Sequence, residues 1–456
     1  MANVRVWEDD PLAGAEPVTR PQPTLPGGPR AITIDVAAPP ARLYKPGTDK
    51  FRYWVAADAL SRGAAFWASA VPEGTTWQAG PTLPVRLDAG DRLNAVYTRG
   101  DLRFFHTSVG GTMVYTGESP DVVSHELGHA VLDAIRPQLW DAMSHEVAAF
   151  HESFGDMSAI LTALQQPAVR EEVLAETGGA LYRSNRLSRV AEQLGWGQRQ
   201  RQPCSAEGDC LRNAVNCFSY QPPASLPITA PAVLLSSAAH SFSRVFTGAF
   251  FQMYAGMVVL LNRPPTSEDL HRASLDAGAL LVAAVRAAPI VPNYMAQVAA
   301  HILEADKALF GGRYAQAIQF GFAGKGILSL PSARAAATSP GPALAGLSAE
   351  PPDAEVPTSA FTGADFGLDR PVVMHVPGQP RRLAALAAAP DGTPLSAGTA
   401  EDAAAGYLRE LLLRQRVAMP DEAGEAGEAG DGPGPLKTHR LLDEGDHLAV
   451  VRVLVA

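Results

Sequence analysis

The sequence is short of cysteine, of charge and of long apolar runs, and each shortage removes a class of protein. Its three cysteines, Cys204, Cys210 and Cys217, crowd one loop-like segment. A structural zinc knuckle needs four ligands, and these spacings match none of the common ones. A local disulfide such as Cys204–Cys210 and three free thiols both stay open. Against 47 Asp and Glu stand only 37 Lys and Arg, a net charge of −10. Nucleic acid, whose phosphates call for a basic surface, is therefore not an expected partner. No uninterrupted apolar run of about 18 residues stands out, so no membrane partner is expected either. Residues 1–10 contain no basic stretch followed by an apolar one. The expectation is cytoplasmic synthesis without a Sec signal, with non-classical export as the alternative. Nothing in the sequence speaks to oligomeric state.

What is present is enough apolar content, 46% of 456 residues, for two or three cored domains. Residues 1–30, with Pro21, Pro23, Pro26 and Pro29, read as an extended arm. Residues 31–165 read as a β-rich lobe that also carries two functional helices. Ala31–Val36 alternates, Phe51–Val55 forms a short apolar run, and Leu93–Tyr97 and Leu102–His106 flank Arg99-Gly100-Asp101 as a hairpin. Residues 166–330 read as a helical lobe, with helices expected over 242–261, 267–288 and 291–310. An Ala/Pro/Ser-rich stretch, 331–357, reads as a linker. Residues 358–456 form a small α/β module with a helix from Thr399 to about Arg416, an acidic Gly/Ala loop over 422–435 and a last strand; no role is assigned to it.

Chemistry concentrates at His125-Glu126-Leu127-Gly128-His129. On a helix the two imidazoles, four residues apart, project from one face and can share a metal ion, zinc by preference. Glu126 stands beside them as a base for an activated water. Ser119 is suited to cap this helix, Pro120 to open it and Pro137 to end it. Gly128 is read as leaving room at the metal face. A catalytic zinc needs a third protein ligand. The metzincin pattern is excluded, because Leu132 and Ile135 stand where it needs Gly and His. A second helix, about Asp141–Leu164, has an apolar face of Met143, Val147, Phe150, Phe154, Met157 and Leu161 and offers His145, Glu146, His151 and Glu152. Glu152 is preferred because Asp156, one turn on, can accept the free ring N–H of a liganding histidine. The plainer alternative is an interhelical ion pair.

These two elements, Asp121–Val131 and Ala149–Asp156, resemble the active-site helix and the downstream Glu element of the thermolysin-like zinc metallopeptidases, with His151 and Gly155 as departures. The resemblance covers roughly residues 90–325. It implies a two-lobed α+β enzyme with a β-rich N-terminal lobe, a helical C-terminal lobe and here a small appended module. It implies His125, His129 and Glu152 as zinc ligands, Glu126 as general base and Asp156 as the group behind a ligand. Asn94-Ala95 resembles the family's edge strand that binds the substrate backbone, His240 its oxyanion histidine, and Leu181-Tyr182-Arg183-Ser184 its substrate-binding arginine segment. The implied activity is that of a zinc-dependent endopeptidase acting on peptides or proteins through a zinc-activated water. Calcium is the second cofactor raised, with Asp121 at one ligand position and Ala163 where a matching glutamate would be. Two further departures are the absence of tyrosine in residues 130–151 and Leu235 where an acid precedes the oxyanion histidine. The alternatives are a fungalysin-like peptidase of different specificity and a zinc-bearing binding or structural protein derived from a peptidase.

Overall fold

The computed structural model describes residues 2–14, 16–338, 355–378, 385–421 and 434–456. The first residues are not an extended arm. Strands β1 (Asn3–Val6) and β2 (Val18–Pro21) pair antiparallel, and Val4 and Val6 are fully buried. Strand β3 (Ala31–Ile34) follows and leads to helix α1 (Asp49–Ala70). The expected strand at Phe51–Val55 is the first turn and a half of α1. Its apolar run is ambiguous alone, but Thr48 accepts a hydrogen bond from Phe51 N and a run of good helix formers, Ala56, Ala57 and Ala59, carries the helix onward.

Strands β4 (Thr82–Arg86), β5 (Ala95–Tyr97) and β6 (Leu102–Phe104) complete a sheet of order β3-β4-β6-β5. Its first two pairings are parallel, and β5 joins β6 antiparallel through the expected hairpin at Arg99–Asp101. Strands β7 (His106–Val109) and β8 (Thr112–Tyr115) form a separate hairpin. Helices α2 (Pro120–Ile135) and α3 (His145–Ala163) close this half of the molecule. With three long helices among short strands, the half is mixed rather than β-rich.

Helix α4 (Pro167–Thr177), strand β9 (Arg189–Val190), helix α5 (Glu192–Arg201) and strand β10 (Arg212–Asn213) occupy what looked irregular in sequence. Four helices then follow, α6 (Ala239–Leu261), α7 (Ser267–Ala287), α8 (Tyr294–Phe310) and α9 (Ala315–Gly324). Three of them match the expected helices closely. Helix α6 is long and apolar enough to cross a membrane by length and composition, and 78% of its most apolar window is buried in this fold. Helix α10 (Leu330–Thr338) takes the start of the expected linker; residues 339–354 of that linker lie outside the described residues.

The last part is a five-stranded sheet of order β11-β12-β15-β14-β13, from β11 (Thr358–Phe361), β12 (Val372–His375), β13 (Val417–Ala418), β14 (His439–Asp443) and β15 (Leu448–Arg452). Helix α11 (Ala400–Leu413) packs on it. Most of the acidic Gly/Ala loop, 422–433, lies outside the described residues. The module is docked, not dangling: Leu408, Leu411 and Val450 share an apolar cluster with Met143 and Ala148 at the start of α3. His145 Nε2 lies 2.9 Å from Glu410, and Val455 exchanges two backbone hydrogen bonds with Tyr97 of β5.

Helices α2 and α3 meet at glycine. A Cβ on Gly128 would lie 2.6 Å from Ser158 Cβ and 3.1 Å from Gly155 Cα. Gly128 thus makes room for the neighbouring helix, a correction to its expected place at the metal face. Ser158 ties three helices together, accepting from Trp67 Nε1 at 3.0 Å and donating to Ser124 O at 2.8 Å. Gly128→Ala is therefore expected to cost about 1–3 kcal/mol in urea unfolding, from overpacking that no side-chain rotation relieves. An unchanged midpoint would contradict so close an approach.

Candidate functional site

The first helix of the site forms where its signals place it. Ser119 Oγ accepts from Val122 N at 3.3 Å, Pro120 opens α2, and the helix ends at Ile135 before Pro137. The rings of His125 and His129 stand 4.7 Å apart at 87° on the buried face. Donor atoms of His125, Glu126 and His129 all lie within 4.8 Å of one another, and all three residues are buried.

Helix α3 brings its carboxylates against them. Glu152 Oε2 is 3.5 Å from His125 Nε2 and 3.1 Å from His240 Nε2, so one oxygen joins residues from three helices. His240 stands in the first turn of α6. Asp156 Oδ1 lies 3.0 Å from His125 Nδ1, which as an N–H donates to it and leaves Nε2 facing the site. Gly155, a departure from the family pattern, has a physical reason: a Cβ there would sit 2.6 Å from the His125 ring. Of the other residues offered by α3, Glu146 is a structural acceptor for Tyr220 Oη and Met295 N at 2.6 and 2.8 Å. His145 faces Glu410 of the C-terminal module. His151 is buried, its ring 5.7 Å from that of His129.

Behind Asp156 stands a residue that no sequence pattern singles out. Arg212 of β10 donates through Nε to Oδ2 at 2.8 Å and through Nη2 to Oδ1 at 2.6 Å, a two-bond clamp. Its segment carries no periodicity, and only the pairing of β9 with β10 brings it inward. Arg183, the arginine expected to contact substrate, is exposed and outside the cavity lining. Asn94 and Ala95 do line the cavity, a space of about 1000 Å³ that also exposes His125, Glu126 and His240. The cysteines are all free, and Cys204 is in that lining.

The electrostatics are those of buried charges arranged to compensate. Burial opposes ionisation of Glu152, yet the imidazoles of His240, His125 and His129 hold its carboxyl well below the ordinary range. Burial likewise opposes Asp156, but Arg212 and His125 bring it down to about 2. Burial raises Glu126 to about 8, and the charge of Glu152 adds to the rise. Burial lowers His129 to about 3 and His240 to about 4. Both ring nitrogens of His129 and one oxygen of Glu126 are buried without a hydrogen-bond partner, while Glu152 Oε2 meets the ring nitrogens of His240 and His125. Unpartnered polar atoms at that depth are costly, and a metal ion is a ligand that the donor set of two imidazoles and carboxylates suits. His125 and His129, with Glu126 or the adjacent Glu152, could hold one.

A second acidic group lies at the N-terminus of α2. Ligand atoms of Asp10, Asp121 and Glu192 are within 4.8 Å of one another. Asp10 accepts from Ser119 Oγ at 2.7 Å and Gln193 N at 2.8 Å, and Asp121 from Ala191 N at 3.0 Å. Both Glu192 oxygens lack a hydrogen bond, with Arg189 Nε 3.7 Å from one of them. The acids joining Asp121 thus come from the first residues of the chain and from α5, not from position 163.

Removing the buried carboxylate behind His125 should show its orienting role. Asp156→Asn keeps the shape but halves the clamp on Arg212, and its metal affinity is expected to fall about 10–100-fold by competition with a chelating dye. Unchanged affinity would mean that Asp156 serves only the ion pair with Arg212.

No protein-family model matches this chain, and no curated protein matches it.

Proposed function

We propose that this chain is a zinc-dependent endopeptidase of thermolysin-like architecture. The observation that carries the reading is Glu126, a buried carboxylate with a free oxygen beside His125 and His129, whose donor atoms converge on one point. A structural metal site has no use for such a base. Zinc bound by His125, His129 and Glu152 would supply Lewis acidity toward water and the scissile carbonyl.

The remaining work falls to the chain's own side chains. Glu126, next to His125 on α2 and with one oxygen unpartnered, is the group placed to act as general base. It takes the proton of the attacking water at its free oxygen and hands it to the departing amine. His240 Nε2, which lies 3.1 Å from Glu152 Oε2 and lines the cavity, would turn to donate to the carbonyl oxygen as negative charge develops there. Asn94 and Ala95 line the cavity at the start of edge strand β5, whose far end at Tyr97 is paired with Val455, so an extended peptide would lie beside the Asn94–Ala95 end.

Glu126→Gln should bind zinc with unchanged stoichiometry while cleavage of casein falls by at least about a thousandfold, since the general base is lost. Casein cleavage at wild-type rate by that variant would overturn the mechanism. Chelation should abolish wild-type cleavage and added zinc restore it.

Calcium, the second ion implied by the resemblance, would belong to Asp10, Asp121 and Glu192. Burial, then repulsion from Asp10, Asp121 and Asp9, raises Glu192 to about 10. A carboxyl raised in the folded state is near neutral in cost below its unfolded value and destabilises increasingly as pH climbs toward the folded one. In chelator, the stability gained by Glu192→Gln should therefore grow from about pH 5 to about pH 8, and calcium should favour the wild type over the variant. A gain that shrinks with pH, or calcium that stabilises both equally, would refute this assignment.

A further inference from the structure

The cavity at the metal site carries the wrong charge for its protein. The chain has a net charge of −10, yet the cavity is lined by Arg92, Arg201, Arg212, Arg244, Arg414 and Arg416. Against these stand three carboxylates in the lining, Asp91, Asp121 and the base Glu126. Arg92 is engaged with a neighbour, and three others are matched by carboxylates: Arg212 by Asp156, Arg244 by Glu207 and Arg414 by Glu410 at 3.3 Å. Glu410 is itself shared with His145 and Ser237, so it is a partial counter-charge for Arg414. Arg201 donates to the neutral hydroxyl of Thr107 at 2.6 Å.

Arg416 stands out among them. Its Nη1 donates to the carbonyl of Leu436 at 3.0 Å, and no carboxylate among the described residues pairs with it. Burial first, then the positive charges of Arg414 and Arg92, lower its proton affinity, so like charges gather there. Arg416 lines the same cavity as His125, Glu126 and His240. It is brought there by the C-terminal module, at the turn between α11 and β13. Arg416, which lines the cavity with no carboxylate partner among the described residues, beside Arg414, whose partner Glu410 is shared with two other groups, is suited to receive an anion.

We propose that Arg416, with Arg414, is a specificity-determining pair that selects peptides bearing a carboxylate close to the scissile bond. The ligand being a peptide rests on the endopeptidase reading; the anion preference rests on the arginines. That carboxylate has two sources, an Asp or Glu side chain or the free end of the peptide. A planar guanidinium meets either through two parallel hydrogen bonds, which a neutral amide cannot match in strength.

Binding to the full-length Glu126→Gln protein loaded with zinc tests this apart from hydrolysis. Three dye-labelled hexapeptides of otherwise identical sequence are compared by fluorescence anisotropy: internal Glu with an amidated end, internal Gln with an amidated end, and internal Gln with a free end. At least one carboxylate-bearing peptide is expected to bind about tenfold or more tightly than the neutral one, with the advantage shrinking as salt is raised. Which one does so identifies the source. Adding Arg416→Gln should remove the advantage, whereas Arg416→Lys, which keeps the charge, should retain part of it. Equal affinities for all three peptides, no binding of any, or discrimination that survives Arg416→Gln would overturn the proposal. Acid-selective binding with no cleavage by the wild-type protein would instead overturn the peptidase reading and leave the anion site standing.

Discussion

Everything at this site depends on how closely two helices approach. Helix α2 carries the two histidines and α3 the two carboxylates, and an imidazole can meet a carboxylate on the next helix only if the backbones come near. Gly128 and Gly155 permit that. One brings the backbone of α2 against Ser158, and the other clears the space that the His125 ring fills. Ser158 then locks the contact by bonding to both α1 and α2. Packing this tight fixes ring orientation within a few tenths of an ångström, which is what a preorganised metal site requires.

Tight packing also imposes an electrostatic problem, since it buries Glu126, Glu152 and Asp156 together. The chain solves it unequally. Asp156 is clamped by Arg212, Glu152 is surrounded by three imidazoles, and Glu126 is left with little to oppose its burial. Three carboxylates within one pocket thus acquire three different proton affinities from their neighbours alone. Beyond them, the C-terminal module changes what the cleft presents. It extends the sheet edge beside Tyr97, anchors on the first turn of α3 through His145 and Glu410, and lines the cavity with its own arginines.

Much of the candidate site was legible in the sequence because helical periodicity is a short-range signal. His125 and His129 four apart, and Glu152 and Asp156 four apart, state their faces without reference to the rest of the chain. The capping of α2 by Ser119 and Pro120 was equally local. What escaped was non-local. Arg212 reaches Asp156 from a two-residue strand, Asp10 reaches α2 across more than a hundred residues, and Arg416 arrives from a module that seemed to carry no chemistry. Phe51–Val55 was misread because a five-residue apolar run has no period of its own, and the alanines that follow decide it. Arg183 was misplaced because a three-residue match says nothing about which way a loop faces.

The central claim is that His125, His129 and Glu152 hold one zinc ion. Anomalous diffraction recorded on either side of the zinc absorption edge, from crystals of the purified protein supplied with zinc, tests it directly. The account predicts one strong peak about 2.0–2.2 Å from His125 Nε2, a ring nitrogen of His129 and a carboxylate oxygen of Glu152. A peak that leaves Glu152 out, or no peak between α2 and α3, would contradict it.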